Sequence, residues 1–177
     1  MGGVVLVEGI TDRIALEAVA RRLGMDLDDV QIVPIGGAQA IRRAFAPYAG
    51  ERVAGLCDAR EERWFRRVLG DATYVCVRDL EDELLRAIGP SRMDELLATQ
   101  GDLGTFRNFQ NQPYWRGRPV EAQLRRWLQA SDNRGKRYPP LLVAALEPAE
   151  IPAPLAGVLA HARFNVVRED RLRRDGG

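Results

Sequence analysis

Val4-Val5-Leu6-Val7-Glu8-Gly9-Ile10-Thr11-Asp12 is the stretch on which the reading of the fold turns. Four aliphatic residues in a row, three of them β-branched and the run bounded by glycines, predict a short buried strand. Glu8 closes that strand, and Asp12 falls four residues later in the first turn of the next element. That spacing lets both carboxylates face one point above the sheet edge. From Arg13 to Leu23 apolar residues recur at Ile14, Leu16, Ala18, Val19 and Leu23, an amphipathic helix that Gly24 stops.

The same alternation continues outward. Strands are predicted at Gln31 to Ile35, Arg52 to Cys57 and Thr73 to Val77, with a turn at Gly36-Gly37. Helices are predicted at Ala38 to Ala46, Glu61 to Leu69 and Leu80 to Ile88, the last ending at Gly89-Pro90. Strand and helix in turn imply crossover connections, hence an α/β fold with a roughly four-stranded, mainly parallel sheet flanked by helices. After Gly89 the strand signal ends. Segments around Met93 to Thr99, Val120 to Leu128, Tyr138 to Leu146 and Leu155 to His161 predict a C-terminal helical extension. The expected division is an α/β core over 1–89, a helical extension packed on it over 90–164, and a charged, frayed tail over 165–177.

Composition narrows the classes. Of the 177 residues 46% are hydrophobic and 29% charged, which suits a folded globular domain. No apolar run approaches the ~18 residues that span a bilayer, and the start lacks a signal-peptide pattern, so a cytoplasmic location without membrane contact is expected. Cys57 and Cys76 lie in apolar strands, as reduced buried thiols would, and with His161 they offer no zinc-ligand spacing. Net charge is +1, but residues 106–137 are basic. Arg107, Arg116, Arg118, Arg134 and Arg137 are candidates for gripping a nucleic-acid backbone, with Phe106, Phe109, Tyr114 and Trp115 placed to stack on bases or to fill the core. Lys136 is the sole lysine among 26 basic residues, which points to a position that needs a compact ammonium.

Acids recur at strand ends. Asp58 follows the third strand in Leu56-Cys57-Asp58, and Asp79-Leu80-Glu81-Asp82-Glu83 follows the fourth. Converging carboxylates repel one another unless a cation lies between them, and Mg²⁺ or Mn²⁺ prefers such oxygen ligands. Acids at helix amino ends also serve as caps, and spacing alone leaves both readings open.

Val7-Glu8-Gly9-Ile10-Thr11-Asp12 followed by Leu56-Cys57-Asp58 resembles the TOPRIM fold of topoisomerases, primases and certain nucleases. Val33-Pro34-Ile35-Gly36-Gly37-Ala38, Asp79-Leu80-Glu81-Asp82 and the late Arg134-Gly135-Lys136 make it most similar to the TOPRIM part of OLD-family (overcoming lysogenization defect) nucleases. The resemblance implies a metal-dependent endonuclease, or related phosphotransfer enzyme, acting on DNA with one or two Mg²⁺ or Mn²⁺ ions. It implies Glu8, Asp12, Asp58 and Glu81 as ligands, with Asp79 or Asp82 as further ones, Glu8 as catalytic, and Lys136 as the cation that neutralises transition-state charge.

Two departures stand out. TOPRIM proteins usually carry a second Asp two residues after the first, and Arg60 occupies that position here. A guanidinium cannot ligate a metal, so Glu61 or Glu62 substitutes, the site holds fewer ions, or catalysis is weakened. The phosphate-binding Gly-x-x-x-x-Gly-Lys-Ser/Thr loop of the ATPase to which OLD nucleases are joined is also lacking. The expected partners are therefore DNA, a separate ATPase subunit and a second copy of the chain. The alternatives to a nuclease are a module that binds DNA or that ATPase without cleaving and, less favoured, a primase-like nucleotidyl transferase.

Overall fold

Strand β1 (Gly3–Val7) shows why this sheet must be covered on both sides. Val5 and Val7 enter one core while Val4 and Leu6 enter another, all four almost fully buried, because successive side chains of a strand point to opposite faces. The computed structural model describes residues 3–163; the tail expected over 165–177 lies outside the described residues. Strands β2 (Val30–Pro34), β3 (Arg52–Asp58) and β4 (Thr73–Cys76) join β1 in the order β2-β1-β3-β4. Each pairing is parallel, so the sheet expected to be mainly parallel is wholly so.

Parallel neighbours require crossovers, and three short helical connections supply them. Helix α1 (Ile10–Arg22) links β1 to β2, α2 (Ile41–Phe45) between two 3₁₀ turns links β2 to β3, and α3 (Glu62–Leu69) links β3 to β4. On one face α2 and α3 close a small core of Val4, Leu6, Ile41, Val53 and Phe65. Gly55 lies beneath α3 because a Cβ there would stand 2.6 Å from the Phe65 and Leu69 side chains.

The other face carries the larger core. Helix α4 (Leu80–Thr99) breaks at Gly89, whose φ of 72° and ψ of 163° leave the helical region, and Pro90 opens its second segment. This is the stop predicted from Gly89-Pro90, a residue pair that favours a turn and then a fixed φ. Helices α5 (Leu103–Gln110), α6 (Val120–Gln129), α7 (Asp132–Ala145) and α8 (Ala153–Arg163) complete the chain. One continuous cluster runs from Val5, Val7 and Leu16 through Leu84 and Met93 to Phe106, Trp127, Tyr138 and Leu155. The helical second half thus shares its core with the sheet. Helix α8 lies across the start of the sheet, and a side chain on Gly3 would collide with the Ala162 carbonyl.

Two elements differ from the sequence reading. Helix α5 was not anticipated, and α7 starts six residues ahead of Tyr138, taking Arg134-Gly135-Lys136 out of a loop and into the helix. Ser131 caps α7, its hydroxyl accepting from the Arg134 N–H at 3.5 Å. Gly135, Pro139 and Pro140 are poor helix formers, but burial of Tyr138, Pro139, Leu142 and Val143 outweighs that cost. Helices α1 and α7 pack along each other, with carboxyl ends joined where Arg22 Nε donates to the Leu146 carbonyl at 2.6 Å. Their amino ends therefore point toward the same edge of the molecule.

Cys57 and Cys76 are free and buried in opposite cores. Burial pushes the Cys57 thiol up to about 12 and raises that of Cys76 as well. Among the described residues no helix is long and apolar enough to cross a membrane.

Candidate metal centre

The carboxyl edge of the parallel sheet collects the acids. Glu8 follows β1 directly, and its Oε1 accepts from the Asp58 N–H at 3.0 Å, which clasps the ends of β1 and β3 together. The loop after β2 holds Glu8 from behind: the N–H groups of Gly36 and Gly37 donate to the Glu8 carbonyl at 3.0 and 3.3 Å. Both glycines have positive φ, 74° and 111°, a conformation that side chains disfavour. The pair expected to be a tight turn is one, and its task is to fix the first acid. Asp12 closes the amino end of α1, its Oδ2 accepting from the Gly9 N–H at 2.9 Å.

Electrostatics ties these groups into one cluster. Asp58 is pushed up to about 8, first by desolvation and then by repulsion from Glu8, Asp79, Asp12 and Glu81. Asp12 rises to about 7 by desolvation, against the pull of its Gly9 bond, with Glu81, Glu8 and Asp79 adding repulsion. Glu8 and Glu81 are raised too, chiefly by burial. Half-buried carboxylates that repel one another are the donor set a hard dication relieves. As placed, among the described residues, no three His, Cys, Asp or Glu side chains are arranged to hold a metal ion. Charge reaches farther than ligation, so the acids share an edge and a field without enclosing a point.

The remaining acids are engaged differently. Asp79 caps α4, its Oδ1 accepting from Asp82 N–H at 2.8 Å, while Oδ2 takes Arg125 Nε at 2.6 Å and Gln129 Nε2 at 3.3 Å. Both oxygens are occupied, and an ion there would have to displace a guanidinium. Asp82 and Glu83 pair with Arg86, and Glu83 also accepts from the Val77 N–H at 2.7 Å. Glu61 is near enough to repel Glu8. Arg125 and Gln129 escaped the sequence reading, since no spacing links them to a residue 46 or more positions earlier.

The basic candidates differ in what they touch. Arg107 pairs with Asp94 at 2.6 Å, and Arg137 pairs with Asp102 at 3.0 Å. Arg134 stacks on Trp127 and donates to its carbonyl. Arg116 and Arg118 are exposed in the stretch after α5, Arg118 lying 4.1 Å over the Tyr114 ring. Phe106 is fully buried against Trp127, and Tyr114 is exposed. Lys136 is exposed in the first half of α7 and has no hydrogen bond or ion pair among the described residues. His161 bonds Tyr74 at the opposite end of the sheet, a structural position.

The class defined by this fold is a TOPRIM-like α/β domain. A family model, "Overcoming lysogenization defect protein-like, TOPRIM domain", matches residues 2–50, the segment holding Glu8 and Asp12. Beyond that segment the likeness is to solved structures. The C-terminal region of the Burkholderia pseudomallei OLD protein superposes with a TM-score of 0.63 at 17% identity, covering 91% of this chain and 96% of that one. The C-terminal region of the Xanthomonas campestris pv. campestris OLD protein gives 0.60 at 19% identity, covering 91% and 94%. No curated protein matches. The chain is thus similar to the OLD-type TOPRIM domain over residues 2–50 and shares the fold of the OLD C-terminal regions over most of its length.

Because Asp12 and Asp58 hold protons more tightly folded than unfolded, the ion-free protein is expected to lose stability as pH rises. Their contribution is intact below the ordinary value of 3.8 and is lost progressively through about 7 and 8. Thermal melting in EDTA should fall by on the order of 5 °C between pH 5 and 8.5. Mn²⁺ should restore it, and Asp58→Asn should flatten the slope. A melting temperature indifferent to pH and to Mn²⁺ would contradict the clustering.

Proposed function

We propose that this chain is a Mg²⁺- or Mn²⁺-dependent endonuclease acting on DNA. The observation that carries the reading is the group of mutually repelling, half-buried carboxylates at the sheet edge, where Glu8 accepts from the Asp58 N–H at 3.0 Å and Asp12 and Asp58 are pushed up to about 7 and about 8. Glu8, Asp12, Asp58 and Glu81 would hold the metal; Asp79, tied to Arg125, serves to anchor α6. A bound ion would polarise the scissile phosphate and activate water. Lys136 would neutralise developing charge; what supports it is the parallel packing of α1 and α7, which puts it toward the Asp12 end.

Incubation with supercoiled plasmid and Mn²⁺ tests the reading. Wild type is expected to nick, and Lys136→Ala to nick about 10²-fold more slowly. Nicking that persists in EDTA, or none under any metal, would sink it. The second reading, a module that binds DNA or a separate ATPase without cleaving, is favoured by Arg60 at the second acidic position. Its signature would be DNA binding without nicking, unaffected by Lys136→Ala. A cytoplasmic location fits either reading.

A further inference from the structure

Beside the carboxylates, between the ends of β3 and β4, lies a cleft of about 400 Å³ lined by Asp58, Ala59, Arg60, Val77, Arg78 and Arg125. Three guanidiniums and one carboxylate face it, so its balance is cationic where the neighbouring edge is anionic. Among the described residues Arg60 has no hydrogen-bond or ion-pair partner, and Arg78 has only Asp82 at 4.0 Å, its side chain 64% exposed. Arg125 is anchored at Asp79. Arg60 is unpaired beside the weakly paired Arg78, and a phosphate between two such cations relieves their repulsion through the planar fork of arginine. Exposed Val77, 66% accessible, adds an apolar wall suited to a sugar.

We propose that this cleft holds a phosphate of a DNA strand next to the scissile one, and that Arg60 and Arg78 supply the charge a second metal ion would otherwise provide. The inference rests on the phosphodiester reading above. Arg60 in place of a second acid then belongs to a site built from one ion and two guanidiniums. Each guanidinium contributes one positive charge, together matching a dication. Asp58 borders both the cleft and the ion, so the two phosphates would sit side by side.

Anisotropy of a fluorescein-labelled single-stranded 12-mer in EDTA tests the cleft without any catalysis. Arg60→Ala and Arg78→Ala are each expected to weaken binding about fivefold to tenfold and to lower the salt slope by about 0.7, with Arg43→Ala, an exposed change on α2, as control. Mn²⁺ titration should find one ion in wild type and two in Arg60→Asp. Unchanged affinity and salt slope in both alanine variants would overturn the proposal, as would two Mn²⁺ ions in wild type. A wild type that shows the Arg60 effect but never nicks plasmid keeps the cleft and defeats the nuclease reading. Nicking with no Arg60 effect does the reverse.

Discussion

Glu8→Gln is expected to lower Mn²⁺-dependent nicking by about 10²- to 10³-fold, as for loss of a group that acts directly on transition-state charge. The substitution keeps shape and keeps an oxygen acceptor for the Asp58 N–H, so the clasp between β1 and β3 survives. What it removes is one negative charge, and a neutral amide is a far weaker ligand for a hard dication. A second consequence separates this from simple damage. With Glu8 neutral, the first of the charges repelling Asp58 is gone, so in EDTA at pH 8 the variant should melt higher than wild type. A gain of stability together with loss of nicking, read by differential scanning fluorimetry and plasmid relaxation, is an outcome misfolding cannot imitate. Full nicking by Glu8→Gln would remove Glu8 from the site.

Arg125→Ala is expected to cost about 2–3 kcal/mol of stability, a little below the usual range for breaking a buried pair because Arg125 is 29% exposed. Asp79, only 6% exposed, would be left charged with Gln129 as its remaining side-chain donor. Helix α6 would lose its tie to the start of α4, and the free carboxylate would add repulsion to Asp12 and Asp58. The melting temperature should fall by on the order of 5–10 °C at pH 8. Asp79→Asn in the Arg125→Ala background should recover part of that loss. A double-mutant cycle by chemical denaturation with no coupling between the two positions would show that the pair contributes nothing.

Legibility in the sequence followed the range of the forces. Val4 to Val7, the glycine stops and the acids after the first, third and fourth strands depend on neighbours a few residues away, and they are readable as a parallel α/β fold with an acidic edge. Strand order is not, because periodicity says nothing about which strand lies beside β1. Arg134 illustrates the harder case: it reads as a phosphate-gripping charge, yet its guanidinium lies 4.2 Å over Trp127. The start of α7 is hidden from the sequence because Gly135 and Pro139-Pro140 are breakers by local propensity, and only burial of Tyr138 and Leu142 shows why the helix runs through them. Asp79 was found as an acid, but its partner lies 46 residues away.

The contact of Gly3 with Ala162 bears on how the protein is made. The first strand and the last described helix touch where there is no room for even a methyl group, so β1 stays open on one face until residue 162 arrives. On a translating ribosome, the acids after β1 and β3 would emerge before α8, the helix that covers the start of those strands. Any stretch of chain that stops short of residue 162 would therefore leave that face of β1 exposed to water.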